Sequence, residues 1–332
     1  MSSSHMRTFL SLLVLASVCQ AQTPTTVPRP PWAGSGKASG ANSQSTDTAS
    51  EDDSTFRVNV KLVNVYVTVT DQRGAPVGNL AQGNFQLLED GHPQKISVFS
   101  KESELPLSIA LQIDTSLSTR RDLPLEINSA RRFAHAILRP QDAMAVYGIS
   151  EVADEIVPFT SDMKVIDRGI ERIHMGSATA VYDAIFVASQ ALEERQGRKV
   201  LVLITDGGDT VSQTDYREAL RAAQISEAVV YSIIVVPIEA SAGRDTGGEH
   251  ALIQLSEDTG GKYFYATTLP QLDEAFRTIS DELRTQYLLA YYPASRLAES
   301  DYRHIEVKLS GVEGASSYKT RHRTGYYTSK SH

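Results

Sequence analysis

Short apolar runs punctuated by polar turns dominate the middle of the chain. One of them, Leu107-Ser108-Ile109-Ala110-Leu111-Gln112-Ile113, ends abruptly in Asp114-Thr115-Ser116-Leu117-Ser118. A run with so few polar interruptions predicts a buried parallel strand. Lys199 to Thr205 is the second such run, with Val200-Leu201-Val202-Leu203-Ile204 leading into Asp206-Gly207-Gly208. Further strands are predicted at Met144 to Ile149, Glu155 to Phe159, Val229 to Val236 and Lys262 to Tyr265. Between them lie helical spacings: Leu123 to Leu138, Asp162 to Ile173, Thr179 to Leu192, Asp215 to Ala228, Glu249 to Asp258 and Leu269 to Leu283. This alternation predicts an α/β fold, a Rossmann-like mostly parallel sheet with helices on both faces.

The flanks follow a different period. Val58 to Val69 is β-rich, with its alternation slipping near Leu62-Val63. Phe85 to Glu89 and Gln94 to Phe99 flank the turn Asp90-Gly91-His92-Pro93. At the other end, Gln286 to Tyr292 reads as a strand, Ile305 to Leu309 alternates cleanly, and Tyr318 to Tyr327 is β-like. The leading β unit is short for a core of its own. The tail strands are therefore expected to pack with it as a small β-sandwich-like domain. The expected division is 1–21 leader, 22–55 linker, 56–103 N-terminal β segment, 105–292 α/β domain and 293–332 C-terminal β segment.

Composition sharpens the ends of this picture. Phe9 to Val18 is too short to span a bilayer, and it follows Arg7 and precedes Cys19-Gln20-Ala21, the pattern of a signal peptide. Cys19 admits a lipoprotein reading, against which Val18 is bulky for that processing. Cleavage after Ala21 would remove the single cysteine, and thiolate chemistry with it. Gln22 to Thr55, rich in Pro, Ser, Thr and Gly, cannot offset its ordering entropy and reads as a disordered tether. An exported destination in the periplasm, at the cell surface or outside is expected. The net charge of −8 in 332 residues gives no reason to expect nucleic acid as a partner. Basic residues near the end, Lys319, Arg321 and Arg323, are more simply the outer face of a strand.

The chemistry gathers at the carboxyl ends of the strands, where open α/β sheets bind ligands. Asp114, Ser116 and Ser118 are two apart, so a tight turn points three oxygens at one centre. One carboxylate with hydroxyl neighbours suits a small hard cation such as Mg2+, provided other segments complete the coordination. Thr179, at a helix start, and Asp206, at the end of the second apolar strand, stand on the same face.

With these five residues in order, the sequence resembles the von Willebrand factor type A domains, over roughly Leu105 to Tyr292. Their metal ion-dependent adhesion site joins an Asp-x-Ser-x-Ser motif to a distant Thr and a distant Asp. The flanking β segments resemble those of secreted bacterial proteins of this class. The resemblance implies Ser116, Ser118 and Thr179 as direct ligands of Mg2+, or of Mn2+ or Ca2+. It implies that Asp114 and Asp206 supply charge and orient water, and that an exposed Asp or Glu of a partner protein completes the coordination. The expected function is metal-dependent protein binding or adhesion in the bacterial cell envelope or exterior.

Neighbouring residues have blander readings. Ser177 competes with Thr179, but the helix-start position favours the latter. Asp183 is one turn into the helix, and either supports the site or is solvated. Thr205 is expected on the opposite side of its strand with its hydroxyl on backbone, and Asp209 and Thr210 shape the rim. His174 reads as an exposed loop histidine. The chain lacks H-E-x-x-H spacing, a G-x-S-x-G elbow and a Walker lysine context, so catalysis is not expected. The alternatives are a scaffold whose ion orders loops and a metal-dependent hydrolase.

Overall fold

Leu107–Asp114 is buried at every position, as its apolar composition requires of a strand covered on both faces. The computed structural model describes residues 62–101, 105–116, 123–236, 245–294, 302–312 and 314–328. The leader, the tether and Ser118 lie outside the described residues. In chain order the elements are β1 (Val63–Thr70), β2 (Phe85–Glu89), β3 (His92–Gln94), β4 (Ile96–Lys101), β5 (Leu107–Asp114), α1 (Leu123–Ile137), β6 (Ala143–Ile149) and β7 (Ala153–Thr160). There follow α2 (Met163–Glu171), α3 (Val181–Glu193), β8 (Arg198–Thr205), α4 (Tyr216–Ile225), β9 (Val229–Val235), α5 (Thr246–Asp258), β10 (Lys262–Ala266) and α6 (Leu269–Leu283). The last strands are β11 (Tyr287–Tyr291), β12 (Tyr302–Leu309), β13 (Lys319–Arg321) and β14 (Gly325–Tyr327).

Six strands form the main sheet in the order β10-β9-β8-β5-β6-β7. All pairs are parallel except β6 with β7. Alternate side chains of β5 and β8 divide between two cores. Ile109, Leu111, Ile113, Val200, Val202 and Ile204 face one, which α1 and α6 close with Phe133 and Phe276 stacked 4.5 Å apart. Ala110, Leu201 and Leu203 face the other, with Ala184, Ile185 and Ala188 of α3. Polar Gln112 points the same way and donates from Nε2 to Ala184 O at 2.6 Å. That parity carries forward to the site.

The flanking strands form two antiparallel four-stranded sheets, β13-β1-β11-β4 and β14-β12-β2-β3, and share one core of Val63, Val65, Val67, Phe85, Leu87, Tyr287, Leu289, Ile305 and Val307. The fold is thus the expected α/β layer structure with a sandwich built from both ends of the chain. β11 falls inside the 105–292 span yet was also expected, as a tail strand, to pack with the leading β unit, and it pairs with β1 and β4. Its alternate residues Tyr287, Leu289 and Tyr291 complete the sandwich core, so the α/β layers end with α6.

A buried polar cluster fastens the two parts. Arg198 donates from Nη1 to Leu283 O at 2.6 Å and from Nη2 to Gln286 Oε1, while Gln286 Nε2 reaches Thr68 Oγ1 at 3.0 Å. Glu282, fully buried at the end of α6, is ion-paired with Arg321 of β13 at 2.6 Å and Lys262 of β10 at 3.6 Å.

His322, between β13 and β14, stands in for a backbone carbonyl. Val307 N–H donates to its Nε2 at 3.1 Å, so the ring proton sits on Nδ1 and is donated to Arg323 O at 2.8 Å. Burial holds the imidazole pKa below its usual value, and the positive charge of Arg323 acts the same way; the Arg323 carbonyl and Glu306 oppose this. A lowered folded pKa means the unfolded chain takes up the proton first. The stability contributed is present above about pH 6.5 and lost as pH falls below it. His322→Gln, which keeps an acceptor without that titration, is expected to lose less stability than wild type between pH 7 and pH 5. Urea unfolding at the two pH values checks this.

Candidate metal centre

Asp114 closes β5 beside the last residue of β8. Ile113 pairs with Ile204 in parallel register, which brings Asp114 level with Thr205. Residues 110, 112 and 114 of β5 and 201, 203 and 205 of β8 share the face toward α3. Thr205 Oγ1 therefore donates to Asp114 Oδ2 at 2.7 Å, and Ser116 N–H donates to Oδ1 at 2.9 Å. This corrects the expectation that Thr205 lies on the far side of its strand: parity places its hydroxyl on the carboxylate. Thr115 points the other way, giving both its N–H and its hydroxyl to Ile149 O at 2.9 Å.

The Asp114 carboxylate exposes none of its surface. Burial raises its pKa, the bonds from Thr205 and Ser116 oppose that rise, and the like charge of Asp206 adds to it. Asp206, half-buried just past β8, accepts from Gly208 N–H at 3.2 Å. The chain leaves the strand through Gly207 at φ +92°, and its carbonyl oxygen would lie 1.8 Å from a Cβ placed on Gly248 at the start of α5. Glycine at both positions is what lets the Asp206 loop rest on that helix end.

Thr179 is buried and precedes α3 by two residues, so it stands in the lead-in to the helix and not within it. Its N–H donates to Thr210 Oγ1 at 3.0 Å and its carbonyl accepts from Thr210 N–H at 2.8 Å. The start of α3 has no side-chain cap of its own. Asp209 supplies one from the neighbouring loop, its Oδ1 accepting from Val181 N–H at 2.8 Å and Tyr182 N–H at 3.3 Å. Asp183 reciprocates by accepting from Gln213 N–H and Thr214 N–H. Residues 206–214 are thereby stitched to the segment carrying Thr179. Sequence reasoning left Asp209 at the rim; the signal for its role is a helix start, Ala180-Val181, lacking a capping side chain.

Of the five sequence-predicted residues, Asp114 and Ser116 are hydrogen-bonded, Asp206 acts electrostatically on Asp114, and Thr179 lies on the strap clamped to the Asp206 loop. Ser118 lies outside the described residues. Ser177 is exposed and bonded to Glu151, which leaves Thr179 as the buried threonine at this position. His174 is exposed, with Nδ1 3.4 Å from Arg172 O. Among the described residues no three His, Cys, Asp or Glu side chains cluster as metal ligands. Among the described residues the candidate donors are the hydroxyls of Ser116 and Thr179 and the carboxylates of Asp114 and Asp206, a chemistry that fits a hard divalent cation.

The α/β sheet thus carries these residues at its carboxyl edge. Residues 109–208 match the family model described as von Willebrand factor type A domain. No match is found among curated proteins. Among solved structures, the PilB minor pilin from Streptococcus sanguinis is similar at 14% identity and TM-score 0.42, over 55% of this chain and 62% of that one. This chain thus spans less than two thirds of the pilin's length. The von Willebrand factor domain of the type V pili tip protein Mfa5 from Porphyromonas gingivalis matches at 14% identity and TM-score 0.42, over 53% of this chain and 94% of that one. A von Willebrand factor type A protein from Catenulispora acidiphila matches at 11% identity and TM-score 0.47, covering 82% of this chain and 75% of that one. Among the described residues no helix is long and apolar enough to cross a membrane.

Proposed function

We propose that the α/β domain is a divalent-cation-dependent protein-binding module, acting in adhesion in the cell envelope or outside the cell. The observation that carries this reading is the buried Asp114 carboxylate, held by Thr205 and Ser116 with the like charge of Asp206 beside it. Two neighbouring carboxylates at the carboxyl edge of a sheet are complementary to a cation. Ser116, Ser118 and Thr179 would hold Mg2+, or Mn2+ or Ca2+, with Asp114 and Asp206 providing charge and orienting water. When bound, the ion supplies a Lewis-acidic position at which an Asp or Glu oxygen of a partner protein completes the coordination. Thr205 fixes the Asp114 carboxylate, and the Asp209 and Thr210 contacts keep the Thr179 segment against the Asp206 loop. The reading is of a binder and not of an enzyme: His174, the histidine nearest in sequence to Thr179, is exposed and turned to its own backbone. Export is proposed from the leader sequence.

The experiment is selection of phage-displayed random peptides on the full chain in Mg2+, with elution by chelator. Enrichment of Asp and Glu in the eluted pool is expected. A pool with the composition of the starting library would overturn the reading.

A further inference from the structure

β6, on the other side of β5 from β8, leads a further carboxylate to the same edge of the sheet. Asp114 pairs with Ile149 at the end of β6, and the chain turns over Ser150–Val152 before entering β7. Glu151 thus stands two residues beyond the level of Asp114 and one strand across, on the order of 8 Å between the two backbones by strand spacing and rise. Its side chain is exposed but not loose. Oε1 accepts from Ser177 N–H at 2.9 Å and from the Ser177 hydroxyl. The Ser177 hydroxyl, with backbone N–H donors, brings the Glu151 carboxyl pKa down to about 2, so it is ionised under any physiological condition. Ser177 is itself two residues before Thr179. Two other acidic residues of this face are held by backbone: Asp209 caps α3 and Asp183 accepts from the amides of Gln213 and Thr214.

Two aliphatic side chains stand at the same rim. Val152 follows Glu151 and is 57% exposed; Val211, whose N–H donates to Thr179 O at 3.3 Å, is 45% exposed. A partner segment that brought a carboxylate to the centre would cross this rim. It would meet the Glu151 charge, which repels a second acidic residue and attracts a cation.

We propose that Glu151 is a specificity residue that selects partners in which the acidic side chain has a Lys or Arg within about four residues, with the aliphatic parts of that segment resting on Val152 and Val211. This rests on the protein-binding reading above and adds what that reading leaves open, the residues beside the acid.

The test repeats the phage selection on the full chain and on Glu151→Gln. Gln keeps an oxygen for both Ser177 donors and removes the charge, and equal thermal midpoints of the two proteins establish that the fold is kept. In the wild-type pool, Lys and Arg near the acidic residue are expected at about threefold or more over the library, the effect of one exposed ion pair. In the Glu151→Gln pool the acidic enrichment remains and the basic enrichment disappears. Basic enrichment that is absent in wild type, or equal in both pools, overturns the role of Glu151 while leaving the protein-binding reading intact. A loss of acidic enrichment from both pools overturns the two together.

Discussion

Asp114→Asn is expected to abolish divalent-cation binding and, in the same molecule, to stabilise the cation-free protein. Asp114 is wholly buried, and burial together with the charge of Asp206 raises its pKa. A carboxyl group with a raised folded pKa favours folding most below its unfolded pKa, and that contribution is lost as pH rises through the folded value. At neutral pH its ionised form therefore weighs against the folded state unless a cation is present. Asn keeps the volume and one oxygen for the bond from Thr205 or Ser116, and removes the charge. A gain of about 1 kcal/mol in chelator, or about 2–4 °C in the midpoint, is expected for a domain of this size. The rise in midpoint that Mg2+ gives wild type by binding the folded state should be missing from the variant. Thermal melts of both proteins with chelator and with Mg2+ test it. A variant that is stabilised by Mg2+ as strongly as wild type would contradict the assignment.

Glu282→Ala is expected to have the largest effect on stability of any substitution considered. The carboxylate is fully buried at the end of α6 and faces Arg321 and Lys262. Removing one partner of a buried pair strands the other, at a cost of about 3–5 kcal/mol. Arg321 keeps a bond to Gly261 O and about a quarter of its side chain in solvent, which points to the lower end of that range. Because the pair joins α6 to β13, its loss loosens the β-sandwich from the α/β layers. In urea unfolding, Glu282→Ala combined with Arg321→Ala should cost less than the sum of the two single changes. Strict additivity would show that the two side chains do not stabilise each other.

The central strands and the helices around them were legible because burial leaves a direct mark on composition. Val200 to Ile204 has no polar residue, and all of its side chains are buried. Leu269 to Leu283 is bounded in the structure where its periodicity predicts. The order Asp114, Ser116, Thr179, Asp206 was readable for a related reason: each follows a strand or precedes a helix at one edge of the sheet. What escaped depends on partners far along the chain. Gln286 to Tyr292 was expected to join the leading β unit and does; its register, Tyr287, Leu289 and Tyr291 against Val67, Val65 and Val63, is what no local pattern shows. The direction of β7, antiparallel at the sheet edge, leaves no trace in an alternating pattern. Thr205 was placed on the wrong side because orientation depends on the register between two strands, which neither strand reveals alone. Asp209 caps a helix from 28 residues away: the uncapped start at Ala180-Val181 is visible locally, the residue that fills it is not.

The most direct measurement is a calorimetric titration of Mg2+ into the full chain, with Asp114→Asn alongside. The account predicts a single saturable site per chain in wild type and none in the variant. Absence of binding to wild type, or equal binding to both proteins, would contradict it.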